Sequence, residues 1–508
     1  MVATVKTFAF IGIDVAPVNV QVKISSSGNS SFTIVGLPDK AVGESKERVR
    51  AAISSIGLAL PYTRITVNLA PADLLKEGSH FDLAIALGLL IEIGALRQED
   101  VDNYYALGEL SLDGTITQVN GILSAAIGAS QRNAGIICPE ICGGEAAWAG
   151  DLSILAPKNL IVLLNHFKGL QILSQPKPNS EKQIFSYPDL VDIKGQETAK
   201  RALEIAAAGG HNLLMMGPPG TGKSMLALRL PGLIPELDLK EMLEINMIHS
   251  ISGRITDGKL IWQRPFRDPH HSCSMPAMVG GGSRAKPGEI SLAHNGILFL
   301  DELAEFPRQV LDSLRQPIEN GNVTISRVLS HINYPANFQL VAAMNPCRCG
   351  YLSDQGKACN KAPVCGRDYQ AKISGPLMDR MDIIIEVPQI DIFAENIGIR
   401  EKSATVAARV AAARNIQRKR YEQESLMENA TLKLNSKANG KVLEKYTEID
   451  ADSQKILKLT MEKMGISIRG YNRILRVART IADLDNAENI NQSHLLEAIS
   501  YRRGFAAM

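Results

Sequence analysis

The run HNLLMMGPPGTGKSMLAL at residues 211–228 constrains this chain more than any other. An apolar stretch of strand length enters a turn of small residues that matches G-x-x-x-x-G-K-[ST] in full, and an apolar helical start leaves it. A glycine-rich turn between strand and helix aims backbone N–H groups and the positive end of the helix at one point, which makes an anion cradle. Gly217, Pro218, Pro219, Gly220, Thr221 and Gly222 form that cradle; Lys223 reaches the β and γ phosphates of a nucleotide, and the Ser224 hydroxyl suits magnesium. ATP and Mg2+ are the cofactors this chemistry expects. Such a turn works at the carboxyl edge of a parallel sheet covered on both faces, so an α/β fold is predicted here.

A second apolar run, GILFLDEL at 296–303, delivers two carboxylates to the same kind of edge. Asp301 reads as a magnesium residue and Glu302 as the group that orients the attacking water; a strand followed by an acidic helix cap is the alternative. FQLVAAMNP at 338–346 ends in Asn345, whose amide suits the γ-phosphate or the water, although Asn-Pro is also an ordinary strand exit. Arg380 in SGPLMDRMDI and Arg469 in SIRGYNRILRVART offer cations for transferred phosphoryl charge. Arginine supplied by a neighbouring subunit is a recurrent solution, so the pair predicts an oligomer; solvated surface arginines are the alternative.

At 508 residues the chain exceeds one ordinary core, and two or three domains are expected. The polar, proline-bearing stretch 174–188 reads as a linker. Before it, residues 1–173 mix β-like runs at 19–24, 32–35 and 64–69 with a helical pattern at 39–56. After it, residues 189–395 carry strand-like runs at 212–216, 296–300, 339–343 and 382–387 between helical stretches, and 396–508 reads as helical throughout. No stretch is apolar enough to span a bilayer and the N-terminus lacks a secretory pattern, which points to a cytoplasmic protein with no membrane partner.

The net charge of +2 neither demands nor excludes nucleic acid, so any basic footprint must be local. The insertion at 236–286, with Arg264, Arg267, His270, His271, Arg284 and Lys286 among glycines, reads as a flexible nucleic-acid loop. A metal at the adjacent histidines is disfavoured, because neighbouring His side chains seldom chelate one ion well. Seven cysteines, four of them clustered, argue for a reducing compartment. Cys347, Cys349, Cys359 and Cys365 have spacing that can close a structural zinc site; free or oxidised thiols are the alternative.

Assembled, these segments resemble the magnesium-chelatase-like AAA+ family and, within it, its competence-helicase branch. The resemblance is carried by FRDPHHSCSMPAMVGGGSRAKPGEISLAHNGILFLDEL, SGPLMDR, SIRGYNRILRVARTIADL and VNLAPADLLKEGSHFDLAIALGLL. It implies that Asn345 is sensor 1, Arg380 the arginine finger given to a neighbour and Arg469 sensor 2 on a helical lid. The first domain looks like the Lon protease domain, but the expected serine falls near Ser79 or His80 and GILSAAIGA offers no lysine, so a peptidase lacks its base. The resemblance further implies a homo-hexameric ATP-driven helicase that binds single-stranded and branched DNA, with recombination proteins as partners, and promotes branch migration during integration of incoming DNA. The run 321–335 reads as a pore hairpin with Arg327 at its tip to meet DNA, against a solvated arginine. A chelatase-type motor that remodels a partner protein is the alternative function.

Overall fold

A computed structural model describes residues 2–25, 30–179, 186–255, 258–282, 285–326, 331–352, 359–390, 400–428 and 433–502. Ala3–Ile11 (β1) and Asp14–Ser25 (β2) pair antiparallel across a tight turn at Gly12. Val18, Val20 and Val22 alternate inward along β2, the period-two burial that a strand with one wet face requires. Ser31–Val35 (β3), Arg64–Ala70 (β4), Tyr104–Ala106 (β5), Gly135–Ile137 (β6) and Ile154–Leu155 (β7) complete a seven-stranded mixed sheet in the order β3-β4-β2-β1-β5-β6-β7. The helix Lys40–Ser55 covers it, started by Asp39, whose side chain accepts from the Val42 N–H at 2.8 Å. Its buried Val42, Val49 and Ile53 each contribute about 1.5–3 kcal/mol of apolar burial.

The second sheet holds the phosphate turn. Leu213–Met216 (β8), Phe266–Arg267 (β9), Ile297–Leu300 (β10), Gln339–Met344 (β13) and Ile383–Glu386 (β14) run parallel in the order β9-β10-β13-β8-β14. Four of these strands lie at the expected apolar runs. The two-residue β9 was not legible, being too short to show a period. Along β8, Leu213 and Met215 enter one core while Leu214 and Met216 enter another, so both faces are covered. Between β10 and β13, Asn322–Ser326 (β11) and His331–Pro335 (β12) form an antiparallel hairpin. Arg327 at its tip, like Arg284, lies outside the described residues.

From residue 400 onward the described residues are helical, as expected. Their placement shows which side of the parallel sheet they cover. Val410, Ile474, Val477 and Ile481 share a core with Leu213 and Met215: Ser403–Glu428 and Ile468–Leu484 pack against the helix Glu197–Gly209, which itself lies on one face of the sheet. Polar ties hold them to the start of β8: His211 Nε2 lies 2.7 Å from Thr480 Oγ1, and Arg473 Nη1 lies 2.5 Å from Asp382 Oδ1. Although burial pushes the Asp382 carboxyl up, Arg473 and His211 hold it well below the usual carboxylate range.

Two further expectations change. The segment at 236–286 is docked rather than loose: it forms the helix Leu239–Ile251 and packs on the first domain through Leu123, Met242, Ile255 and Leu260. Trp262 meets Trp148 edge-on at 5.2 Å, and Ser250 donates to the buried Glu145. Arg264 and Arg267 are consumed internally, by Glu241 and the Pro235 and Asn295 carbonyls, and by Glu289. The stretch read as a linker also begins as a docked segment, because Gln175 bonds the backbone of Leu152 and Ile154. No helix among the described residues is long and apolar enough to cross a membrane.

Candidate nucleotide site

Every strand of the parallel sheet ends at one edge, and the sequence motifs meet there. Gly217 follows β8 in a position where a Cβ would fall 2.2 Å from the Val387 carbonyl oxygen, so only glycine fits. Gly220 and Gly222 take left-handed conformations, with φ of 77° and 87°, that bend the turn into the helix Lys223–Ala227. Lys223 is buried, and its Nζ donates to the Gly217 and Pro218 carbonyls at 2.8 Å each and to Asn345 Oδ1 at 3.3 Å. Burial lowers its pKa against the opposing pull of Asp301. Ser224 Oγ donates to Asp301 Oδ2 at 2.6 Å.

Lys223, Ser224, Asp301 and Asn345 thus come together through direct hydrogen bonds, from the turn and helix that follow β8 and from the ends of β10 and β13. A hydroxyl and a carboxylate this close are hard oxygen ligands of the kind magnesium takes, and a buried ammonium beside a glycine turn fits a triphosphate. Glu302 stands next to them with φ of 52°, a left-handed backbone rare for a residue with a side chain. Its Oε2 lies 3.2 Å from Nδ1 of His271, a contact the sequence did not announce. Asp268 is close by as well: burial first, and then the charge of Asp301, push its carboxyl up.

The two arginines are elsewhere. Arg469 lines a cleft with Gly210, Asn212, Asp382 and Arg473, at the amino ends of β8 and β14. Arg380 adjoins it: the Arg473 guanidinium donates to the Arg380 carbonyl at 3.1 Å, and the Arg380 side chain is bound by Glu319 and the Arg315 and Pro376 carbonyls. With a rise of about 3.3 Å per residue, the length of β8 separates this face from Gly217. The structure therefore does not bring Arg380 or Arg469 to the phosphate turn of their own chain.

The cysteines converge beside the turn. Cys347 and Cys349 sulfurs lie 3.0 Å apart, those of Cys359 and Cys365 3.4 Å apart, and the sulfurs of Cys347, Cys349 and Cys365 all fall within 4.8 Å of one another. Four thiolates about 2.3 Å from one zinc would stand about 3.8 Å apart, so the donor set fits that ion. The hydrogen bond from Cys347 pulls the Cys349 thiol down to about 6, while burial pushes the Cys347 thiol up and the hydrogen bond with Cys359 pushes the Cys365 thiol up to about 12. The knuckle also touches the phosphate turn, since a Cβ on Gly350 would meet Pro219 Cδ at 2.6 Å.

In the first domain Ser79 donates to Glu109, and Lys76 donates to the Pro71 carbonyl. Neither is arranged as a nucleophile with its base. Both Ser79 and the buried His80 border a cavity of about 410 Å³ shared with Lys286 and Tyr334 of the second sheet's region.

Comparison with known proteins agrees in extent and in parts. Residues 189–394 match the family model for magnesium chelatase, subunit ChlI; residues 20–141 match a second ChlI model, and residues 400–502 a model of the ChlI C-terminal region. The protein YifB of Salmonella typhimurium is 43% identical over 502 residues, 98% of this chain and 97% of that one. The competence protein ComM of Haemophilus influenzae is 42% identical over 507 residues, with 98% and 97% coverage. The magnesium-chelatase 38 kDa subunit of Rhodobacter capsulatus is 29% identical over 171 residues, 30% of this chain and 49% of that subunit.

Proposed function

Because this chain belongs to the magnesium-chelatase-like AAA+ family, in the group that includes ComM and YifB, we propose that it is an ATP-driven DNA motor that promotes branch migration when incoming DNA is integrated by recombination. The observation that carries the ATPase reading is the hydrogen-bonded set of Lys223, Ser224, Asp301 and Asn345 at one sheet edge. Lys223 holds the triphosphate, Ser224 and Asp301 hold magnesium, and Asn345 and Glu302 position the water. Arg380 and Arg469 face away from that edge, so a second copy must present them to it. This supports a ring, a hexamer by the family's pattern, with Arg380 released from Glu319 as it engages the neighbour.

The DNA reading rests on the near full-length likeness to a competence protein and on the β11–β12 hairpin inserted between β10 and β13. Single-stranded and branched DNA is the substrate, Arg327 a contact, recombination proteins the partners, and the cytoplasm the compartment. Cys347, Cys349, Cys359 and Cys365 hold a structural zinc, which metal analysis of purified protein checks as one zinc per chain. One second reading has its own support: the likeness to a magnesium-chelatase subunit favours a motor that remodels a partner protein. ATP turnover measured with and without junction DNA separates the two. Stimulation by DNA without any added protein supports the first; turnover indifferent to DNA removes it.

A further inference from the structure

The β11–β12 hairpin rests partly on the first domain. Its inner face, Val323, Ile325, Ile332 and Tyr334, is buried, as it must be, because a two-stranded ribbon is marginally stable unless it lies on another surface. Gly12, in the turn between β1 and β2, comes so close to the ribbon that a Cβ there would fall 2.8 Å from the Asn333 carbonyl oxygen and 3.0 Å from Ile332 Cγ2. Its φ of 65° is left-handed, so glycine meets both demands. The next residue, Ile13, packs against the core that holds Ile325, Ile332 and Tyr334, and so reaches from one domain into the other. Phe10, Ile11, Ile332 and Tyr334 all border the cavity of about 410 Å³, which gives the ribbon support at the turn and room to move beside it.

The ribbon leads straight to the nucleotide site. Residues 336–338 alone separate β12 from β13, which is paired with β8 and β10 and ends at Met344, next to Asn345. Asn345 accepts from Lys223 at 3.3 Å. A push on β12 is felt at Asn345 only if the ribbon is held firmly enough not to yield first. Taking the hairpin as the DNA-contacting element proposed above, we propose that the β1–β2 turn is the seat that holds it. Gly12 and Ile13 fix β12 on the first domain, so DNA bearing on the hairpin acts on ATP turnover rather than only bending the ribbon. The first domain is thus a mechanical part of the motor.

The test compares the full chain with its Ile13→Ser and Ile13→Val variants by two readings. In hydrogen–deuterium exchange followed by mass spectrometry, the β11 and β12 amides of Ile13→Ser should exchange about tenfold faster, with β8 and β13 unchanged. Basal ATP turnover should stay within about twofold, while its stimulation by junction DNA should fall about fivefold or more, the scale of ordinary coupling between sites. Ile13→Val retains a branched apolar side chain and should match the natural sequence. Should Ile13→Ser loosen the whole first domain, Gly12→Ala, which keeps Ile13 and drives a methyl at Asn333, is expected to give the same two changes. A hairpin that exchanges at its natural rate in these variants overturns the seat, and faster exchange with full stimulation overturns the coupling. If the natural sequence shows no stimulation by DNA, the DNA-motor reading fails, and the exchange rates still decide whether the first domain holds the hairpin.

Discussion

Lys223 shows how much of the chemistry rests on single atoms. Its ammonium is buried and bonds two turn carbonyls and Asn345. Charge-assisted hydrogen bonds contribute about 1.5–3 kcal/mol each, so Lys223→Ala should weaken ATP binding about 10- to 100-fold in a fluorescent-nucleotide titration. Glu302→Gln should bind ATP normally and fail to hydrolyse it. Buried histidines make a pH prediction. Burial holds His80 and His249 at about 4, below the unfolded value of about 6.5, so each is neutral in the fold. Their contribution is complete above about 6.5 and is lost as pH falls toward 4, up to about 3 kcal/mol apiece. Thermal midpoints should therefore drop between pH 7 and 5, and less steeply in His249→Gln; a midpoint constant over that range contradicts the assignment. At this scale the phosphate turn, Asp301, Glu302 and Asn345 were legible because local motifs fix them. His271 was not, because its meeting with Glu302 depends on a two-residue strand that leaves no periodic trace.

At the scale of elements, the phosphate turn is wedged between its neighbours. Gly217→Ala would drive a methyl into the Val387 carbonyl, and the strand edge must shift to admit it. The expected result is loss of nucleotide binding together with a thermal midpoint lowered by several degrees. Gly350→Ala strains a left-handed backbone, φ of 85°, and aims a methyl at Pro219, so it should weaken ATP binding while the sheet stays intact. If the cysteines hold zinc, a chelator should do the same from the other side, lowering ATP affinity and thermal midpoint together. Protein free of metal, or indifferent to chelator, refutes the zinc reading. The β8, β10, β13 and β14 strands were legible as apolar runs buried on both faces. The insertion was misread, because composition shows arginines and glycines but not that Glu241 and Glu289 neutralise the arginines.

Across the whole molecule, the first domain and the nucleotide-binding part are joined by buried polar and aromatic contacts. Ser250 donates to Glu145, accepts from the Gly121 N–H, and lies in the same interface as the Trp148–Trp262 pair. Ser250→Ala leaves the buried Glu145 short of a partner and should destabilise by about 1–3 kcal/mol. Denaturant unfolding followed by tryptophan emission would register it. Which faces of these two parts meet was not legible in the sequence, since docking depends on shape. The same holds for the arginines: their spacing in the chain gave no sign that Arg380 and Arg469 sit together, opposite the phosphate turn. On the proposed reading of the two arginines, that separation makes a single copy an incomplete enzyme and makes assembly part of the mechanism. The most direct test of an ATP-driven DNA motor is to mix purified protein with a labelled three-stranded or four-way DNA junction, ATP and magnesium, and to run Lys223→Ala beside it. Resolution of the junction by the natural sequence alone, with none by Lys223→Ala, is the predicted result; no resolution by either, with ATP turnover unmoved by DNA, would contradict it.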